Sequence, residues 1–205
     1  MNTKALIIVD VQNDFMPGGA LAVKEGDIIV PTINDLQSKF DLIVATQDWH
    51  PSDHGSFADN HEGKKIGEFI DLSGVNQILW PVHCVQGSFG AEFHKNLKRD
   101  KWKAIFQKGT NPLVDSYSGF FDNNKQGDTG LSEYLKNQGV EEVYICGLAT
   151  DFCVKFTVLN AISEGFQTYL VVDATKAVNL QSGDYLKAVE EMKAAGAIII
   201  VSMFV

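Results

Sequence analysis

Three residues of complementary chemistry sit at matching places in a repeating pattern. Asp10 closes the apolar run Ala5-Leu6-Ile7-Ile8-Val9, and Lys108 follows the short run Ala104-Ile105-Phe106. Cys153 lies in Gly147-Leu148-Ala149-Thr150-Asp151-Phe152-Cys153, just after Val143-Tyr144-Ile145-Cys146. A thiol, a carboxylate and an amine suffice for nucleophilic acyl transfer. The cysteine supplies the nucleophile, and Asp10 accepts its proton and returns it to a leaving group. Lys108 lowers the thiol pKa and holds the carboxylate by charge. Residues Val154 to Ile162 repeat apolar positions at helical spacing, so Cys153 reads as the first turn of a helix that follows a strand and a tight turn. Free N–H groups and the helix dipole there favour a thiolate and offer a cradle for an oxyanion. Singly, each residue has an ordinary explanation as core thiol, turn cap or surface amine. Their occurrence together at successive strand ends points to a site.

A second set has the character of metal ligands. Four of the five histidines, His50, His54, His61 and His83, fall between residues 50 and 83. In extended Asp48-Trp49-His50 the side chains of Asp48 and His50 point the same way and can grip one ion, with His83 of Trp80-Pro81-Val82-His83-Cys84 as a third donor. One carboxylate with two imidazoles suits a divalent transition metal with open positions. His54 is a possible fourth ligand, and His61 is expected to be merely exposed. Phe15, Trp80 and Tyr117 stand in loop contexts beside these motifs as candidate walls for a flat substrate.

These residues need strand ends on one rim. Strands are expected at Ala5 to Val9, Asp41 to Thr46, Lys103 to Phe106, Glu142 to Cys146, Gln167 to Val172 and Ala197 to Val201. Helices are expected at Asp27 to Lys39, Gly130 to Gln138, Asp151 to Glu164 and Ser182 to Ala195. Continuously apolar strands are covered on both faces. Strands alternating with helices give a single-domain, three-layer α/β/α architecture, over residues 1 to 205, around a six-stranded, mainly parallel sheet. The irregular stretches Asp48 to Phe69 and Asn111 to Gly127 start at strand ends, where ligands bind in such sheets.

Composition narrows the partners. Of 205 residues 45% are hydrophobic and 21% charged, the profile of an ordinary globular protein. A net charge of −9 disfavours nucleic acid or an anionic membrane as partner. Sixteen lysines accompany a single arginine, Arg99, so the usual bidentate clamp for anionic substrates is scarce. No apolar stretch approaches membrane-spanning length, and three unpatterned cysteines fit a reducing cytoplasm. A homo-oligomer is left open.

With Asp10-x-Gln12-Asn13-Asp14-Phe15, Asp48-Trp49-His50-Pro51, Trp80-Pro81-Val82-His83-Cys84, Lys108-Gly109 and Gly147 to Val154 in this order, the chain resembles the nicotinamidases, or pyrazinamidases, of the isochorismatase-like cysteine hydrolases. The resemblance implies a catalytic triad of Asp10, Lys108 and Cys153, and a zinc, iron or manganese ion on Asp48, His50 and His83, with the role of His54 open. It further implies an oxyanion hole from the N–H groups of Ala149 and Cys153 beside a cis Leu148–Ala149 bond. Phe15 and Trp80 would flank a pyridine ring whose nitrogen faces the metal. The implied reaction is hydrolysis of nicotinamide to nicotinate and ammonia in NAD salvage, through a Cys153 thioester. Two other activities compete. Relatives in the superfamily act on carbamoyl compounds or isochorismate, substrates that commonly carry carboxylates. An Fe(II) oxygenase could use the two-histidine, one-carboxylate set but would leave Asp10, Lys108 and Cys153 idle. A catalytically dead binding protein on the same fold is a third reading, though every expected side chain is present.

Overall fold

The computed structural model describes residues 3–205. Its organising element is β1 (Thr3–Val9), whose buried residues alternate between two cores. Leu6 and Ile8 face one layer, where α1 (Ile29–Leu36) packs through Ile29, Val30, Ile33 and Leu36. Ala5, Ile7 and Val9 face the other. There α2 (Leu131–Asn137), α3 (Lys155–Ser163) and α4 (Asp184–Ala194) bring in Leu131, Leu135, Val158, Ala161, Ala188 and Met192. A strand covered on both sides has no reason to alternate apolar with polar, which explains the unbroken Leu-Ile-Ile-Val.

The main sheet adds β2 (Leu42–Asp48), β5 (Ala104–Lys108), β6 (Val140–Leu148), β7 (Gln167–Lys176) and β8 (Ile198–Ile200). Its order is β5-β2-β1-β6-β7-β8, and every pairing is parallel. The chain therefore starts in the middle of the sheet, runs outward one way and then the other. The strand order reverses between β1 and β6, and a crevice opens there beyond the carboxyl ends. The three-layer α/β/α fold and its six parallel strands agree with the sequence pattern. Among the described residues, no helix is long and apolar enough to cross a membrane.

Three local features differ from expectation. The helix expected over Asp27 to Lys39 is composite, with 3₁₀ turns at Gly26–Ile28 and Gln37–Lys39 on either side of α1. The helix expected from Asp151 begins as a π-turn, Thr150–Val154, in which the Val154 N–H donates to Ala149 O at 3.0 Å; only then does α3 start. A hairpin of β3 (Phe69–Leu72) and β4 (Val75–Ile78) was not foreseen. Its two-residue turn places Ser73 at φ 55° and Gly74 at φ 84°, the left-handed pair that hairpin twist requires.

At the strand-order reversal, Gly147 of β6 has φ 114°, and a Cβ there would lie 2.1 Å from Val9 O of β1. Close approach of the two central strands depends on this missing side chain. Gly147→Ala is expected to cost about 2–4 kcal/mol in urea unfolding, from backbone strain and overpacking together. A loss below about 1 kcal/mol would show that β1 and β6 can move apart freely.

Candidate active site

Parallel register delivers the polar residues to one rim. Asp48 ends β2 directly beside Lys108, which ends β5, since these two are register partners. Asp10 follows β1 at φ 47°, a left-handed turn that takes the chain out of the sheet. Cys153 comes up from the π-turn after β6. Asp10, Asp48, Lys108 and Cys153 are all buried.

Lys108 is the hub. Its ammonium lies 2.9 Å from Asp10 Oδ2 and 2.9 Å from Asp48 Oδ1. It also donates to Ser116 O at 2.9 Å and approaches Cys153 Sγ at 3.4 Å. Burial alone would drive the proton off, but Asp10 and Asp48 outweigh it and hold the lysine pKa well above its ordinary value. Asp48 is correspondingly held well below the usual carboxylate range: burial works against the charge, and His50 and Lys108 overcome it. Asp10 goes the other way. Burial, with Asp48 adding to it, raises its pKa against the pull of Lys108. Asp10 Oδ1 accepts the Thr46 hydroxyl at 2.6 Å, while Oδ2 faces Lys108 as an ion pair without hydrogen-bond alignment. That oxygen is placed to take up a proton.

The thiol does not behave as its sequence position implies. Burial pushes the Cys153 pKa well above the ordinary value; Lys108 lowers it, but Asp10 and Asp48 raise it again. These surroundings favour the protonated thiol beside a base over a preformed thiolate. The expectation of a thiolate weighed the helix terminus and Lys108 but not complete burial next to two carboxylates.

The histidines form an adjoining cluster. Asp48 Oδ2 lies 3.1 Å from His50 Nε2 and 3.5 Å from His83 Nε2. The opposite ring nitrogens are engaged by backbone carbonyls, His50 Nδ1 with Gly109 O and His83 Nδ1 with Pro81 O, both at 2.8 Å. Such outer partners fix the tautomer and leave the Nε2 lone pairs directed at a common point with the carboxylate. A Cβ on Gly109 would fall 2.3 Å from the His50 ring, so this spot admits only glycine. His54 is buried with its ring 4.2 Å from that of His50, and its Nε2 has no hydrogen-bond partner. Burial and neighbouring His50 push its pKa down to about 4, so it is a neutral imidazole. Ligating atoms of Asp48, His50 and His83 lie within 4.8 Å of one another, and those of His50, His54 and Asp115 form a second such group. His61 is half-buried, with Nε2 against Gly55 O at 2.8 Å, so it is engaged locally rather than merely exposed.

A small pocket joins the two clusters, lined by Phe15, Trp80, Tyr117, Ala149, Phe152 and Cys153, with Asp48 and His83 on the metal-ligand side. All three aromatics expected from sequence are on its wall. The Leu148–Ala149 peptide is cis. Sequence reasoning missed Asp115 and Gln77. Asp115 lines the cavity, and Gln77 of the hairpin donates to its carboxylate and to the Tyr117 hydroxyl at 2.9 Å each. Their signal was faint: Gln77 belongs to an alternating stretch around Ser73-Gly74, and Asp115 to a segment recognised only as irregular. Cys84 and Cys146 are buried free thiols outside this cavity.

The isochorismatase domain family model matches residues 4–202. The nicotinamidase of Escherichia coli (strain K12) is 48% identical over 201 residues, covering 96% of this chain and 94% of its own. An Acinetobacter baumanii nicotinamidase/pyrazinamidase structure superposes with a TM-score of 0.96 at 46% identity, covering 100% of this chain and 98% of that one. A Pyrococcus horikoshii pyrazinamidase in complex with zinc gives a TM-score of 0.79 at 43% identity, covering 97% and 98%.

The electrostatics of the thiol carry a sign that can be checked. The negative charge of Asp10 disfavours the thiolate, so its removal must lower the Cys153 pKa even as it removes the base. Asp10→Asn is expected to react with iodoacetamide several-fold faster than the parent at about pH 8, while Lys108→Met reacts more slowly. An unchanged or slower rate in Asp10→Asn would contradict this picture.

Proposed function

We infer that this chain, which belongs to the isochorismatase family, is a nicotinamidase that hydrolyses nicotinamide to nicotinate and ammonia. The observation that carries the mechanism is the position of Lys108, within 3.4 Å of Cys153 and 2.9 Å of both Asp10 and Asp48. It joins an acyl-transfer set to a metal-ligand set across an aromatic-walled cavity. No arginine lines that cavity, while Asp48 and Asp115 do. A neutral ring carboxamide suits such a wall better than the carboxylate-bearing substrates of other amidohydrolases. Pyrazinamide, with a similar ring and the same carboxamide, is a second substrate on this reading, as the relatives' names suggest.

In the proposed chemistry, Asp10 takes the thiol proton as Cys153 sulfur attacks the carboxamide carbon. N–H groups of Ala149 and Cys153 receive the oxyanion. The C–N bond breaks as Asp10 returns the proton to the departing ammonia, leaving a nicotinoyl thioester. Asp10 then deprotonates water, which displaces the thiol and yields nicotinate. Lys108 keeps Asp10 in place and offsets charge through both steps.

Asp48, His50 and His83 would hold one divalent ion; the closeness of both Nε2 atoms to the Asp48 carboxylate supports this, and zinc is the ion seen in the Pyrococcus horikoshii relative, while His54 belongs to a separate group with His50 and Asp115. When bound, the ion supplies a Lewis-acid position for the ring nitrogen. Phe15 and Trp80 flank the ring, with Tyr117 completing the wall. Three free cysteines, one of them the nucleophile on this reading, are in keeping with a reducing compartment such as the cytoplasm.

Cys153→Ala is expected to lower kcat by roughly 10⁴-fold or more while nicotinamide binding, measured calorimetrically, changes only a few-fold. Substantial residual turnover would remove Cys153 as nucleophile. Chelation should raise KM for nicotinamide, with recovery on adding zinc, iron or manganese; a KM indifferent to metal would refute ring orientation by the ion.

A further inference from the structure

The parallel pairing of β1 with β2 ends at Val9 and Thr46, followed by one bond from Asp10 N to Thr46 O at 3.3 Å. At Asp10 the chain turns away, yet β2 continues to Asp48. On its far edge Asp48 still pairs with Lys108 of β5. On the near edge its N–H and C=O have lost their strand, and buried backbone groups left unpaired are costly. Gln12 fills this gap with a side chain. Its Oε1 accepts the Asp48 N–H at 2.8 Å, and its Nε2 donates to Asp48 O at 2.8 Å. The second Nε2 hydrogen goes to Ala91 O at 2.9 Å, and the residue is fully buried.

We infer that Gln12 is a positioning residue for Asp48, its carboxamide standing in for the strand that β1 no longer provides and so setting the aim of the Asp48 carboxylate. This rests on Asp48 being a metal ligand. The carboxylate must serve two directions at once, Oδ1 toward Lys108 and Oδ2 toward the Nε2 atoms of His50 and His83. A small rotation of the Asp48 backbone moves both oxygens. Only an amide matches the three partners, because they need one acceptor and two donors. Glutamate offers no donor to the Asp48 and Ala91 carbonyls, and methionine offers neither donor nor strong acceptor. Gln12 makes no hydrogen bond to the Asp48, His50 or His83 side chains, so it acts only through the backbone it holds.

Zinc affinity tests this directly, measured by competition with a chromogenic chelator on metal-stripped parent, Gln12→Met and Gln12→Glu. Iodoacetamide labelling of metal-free Cys153 serves as the reference for overall site integrity. The zinc Kd is expected to rise about 10–100-fold in both variants, the range for loss of a ligand's outer partner, with Cys153 labelling in Gln12→Met within about twofold of the parent. Excess zinc should restore most of kcat in Gln12→Met. A Kd within about twofold of the parent overturns the assignment, as does a proportional loss of zinc binding and Cys153 labelling, which marks general collapse. Should neither variant fold, hydrogen exchange on the metal-free parent decides. The Asp48 amide is expected to be as protected as the amides of central β2, and exchange at loop rates overturns the inference. A parent protein that binds no zinc refutes Asp48 as a ligand, an outcome distinct from tight parental binding with unaffected variants.

Discussion

A lysine ammonium buried with two carboxylates fixes the geometry of the whole site. Removing a charge from water is expensive, and it persists in the interior only where partners are close and well placed. Lys108 meets this condition with Asp10 and Asp48 at 2.9 Å each and a backbone carbonyl from Ser116. The same contacts set the spacing between the group that handles protons and the group aimed at the histidines. With two carboxylates against one ammonium the core of the site retains negative charge, which suits a divalent cation on the Asp48 side. It also works against a thiolate: burial, together with Asp10 and Asp48, disfavours a third anion until a substrate carbon shares the charge.

The fold meets these demands through strand order rather than through loop design. Starting the sheet at its centre and reversing direction puts the ends of β5, β2, β1 and β6 side by side. Asp48 and Lys108 meet because they are register partners, Asp10 because β1 lies next to β2, and Cys153 because β6 lies on the other side of β1. Gly147 lets β1 and β6 come close where the crevice opens. Loops then add what strands cannot. The segment after β5 brings Ser116 to Lys108 and Asp115 and Tyr117 to the cavity, and the β3–β4 hairpin brings Gln77 to brace them.

Much of this was legible in the chain because strand ends are marked by abrupt changes from apolar to polar residues. Asp10, Asp48, Lys108 and Cys153 could each be found at such a change, and the histidine concentration marked the neighbouring cluster. The unread parts share a physical cause: they depend on distance, not on local pattern. Nothing in the sequence tells that the Cys153 thiol is enclosed with two carboxylates, so its proton affinity was misjudged. Gln12 could be read from sequence only as part of the motif that runs from Asp10 to Phe15, because its role exists only where β1 and β2 part. The hairpin escaped notice because its strands are four residues each and half exposed, although Ser73-Gly74 between alternating residues was a usable sign.

The central claim is that the Lys108-centred cluster directs the Cys153 sulfur at the carbonyl carbon of a ring seated in the aromatic cavity. The aldehyde analogue of nicotinamide, isotopically labelled at its carbonyl carbon, reports this by nuclear magnetic resonance. Addition of the thiol forms a carbon–sulfur bond, and the proton passes to the former carbonyl oxygen. At saturation the labelled resonance is expected to move from the aldehyde region to that of a tetrahedral carbon, and to stay in the aldehyde region when Cys153→Ala binds the same compound. A tetrahedral adduct that survives in Cys153→Ala, or a bound aldehyde left unaltered by the parent enzyme, would contradict the account.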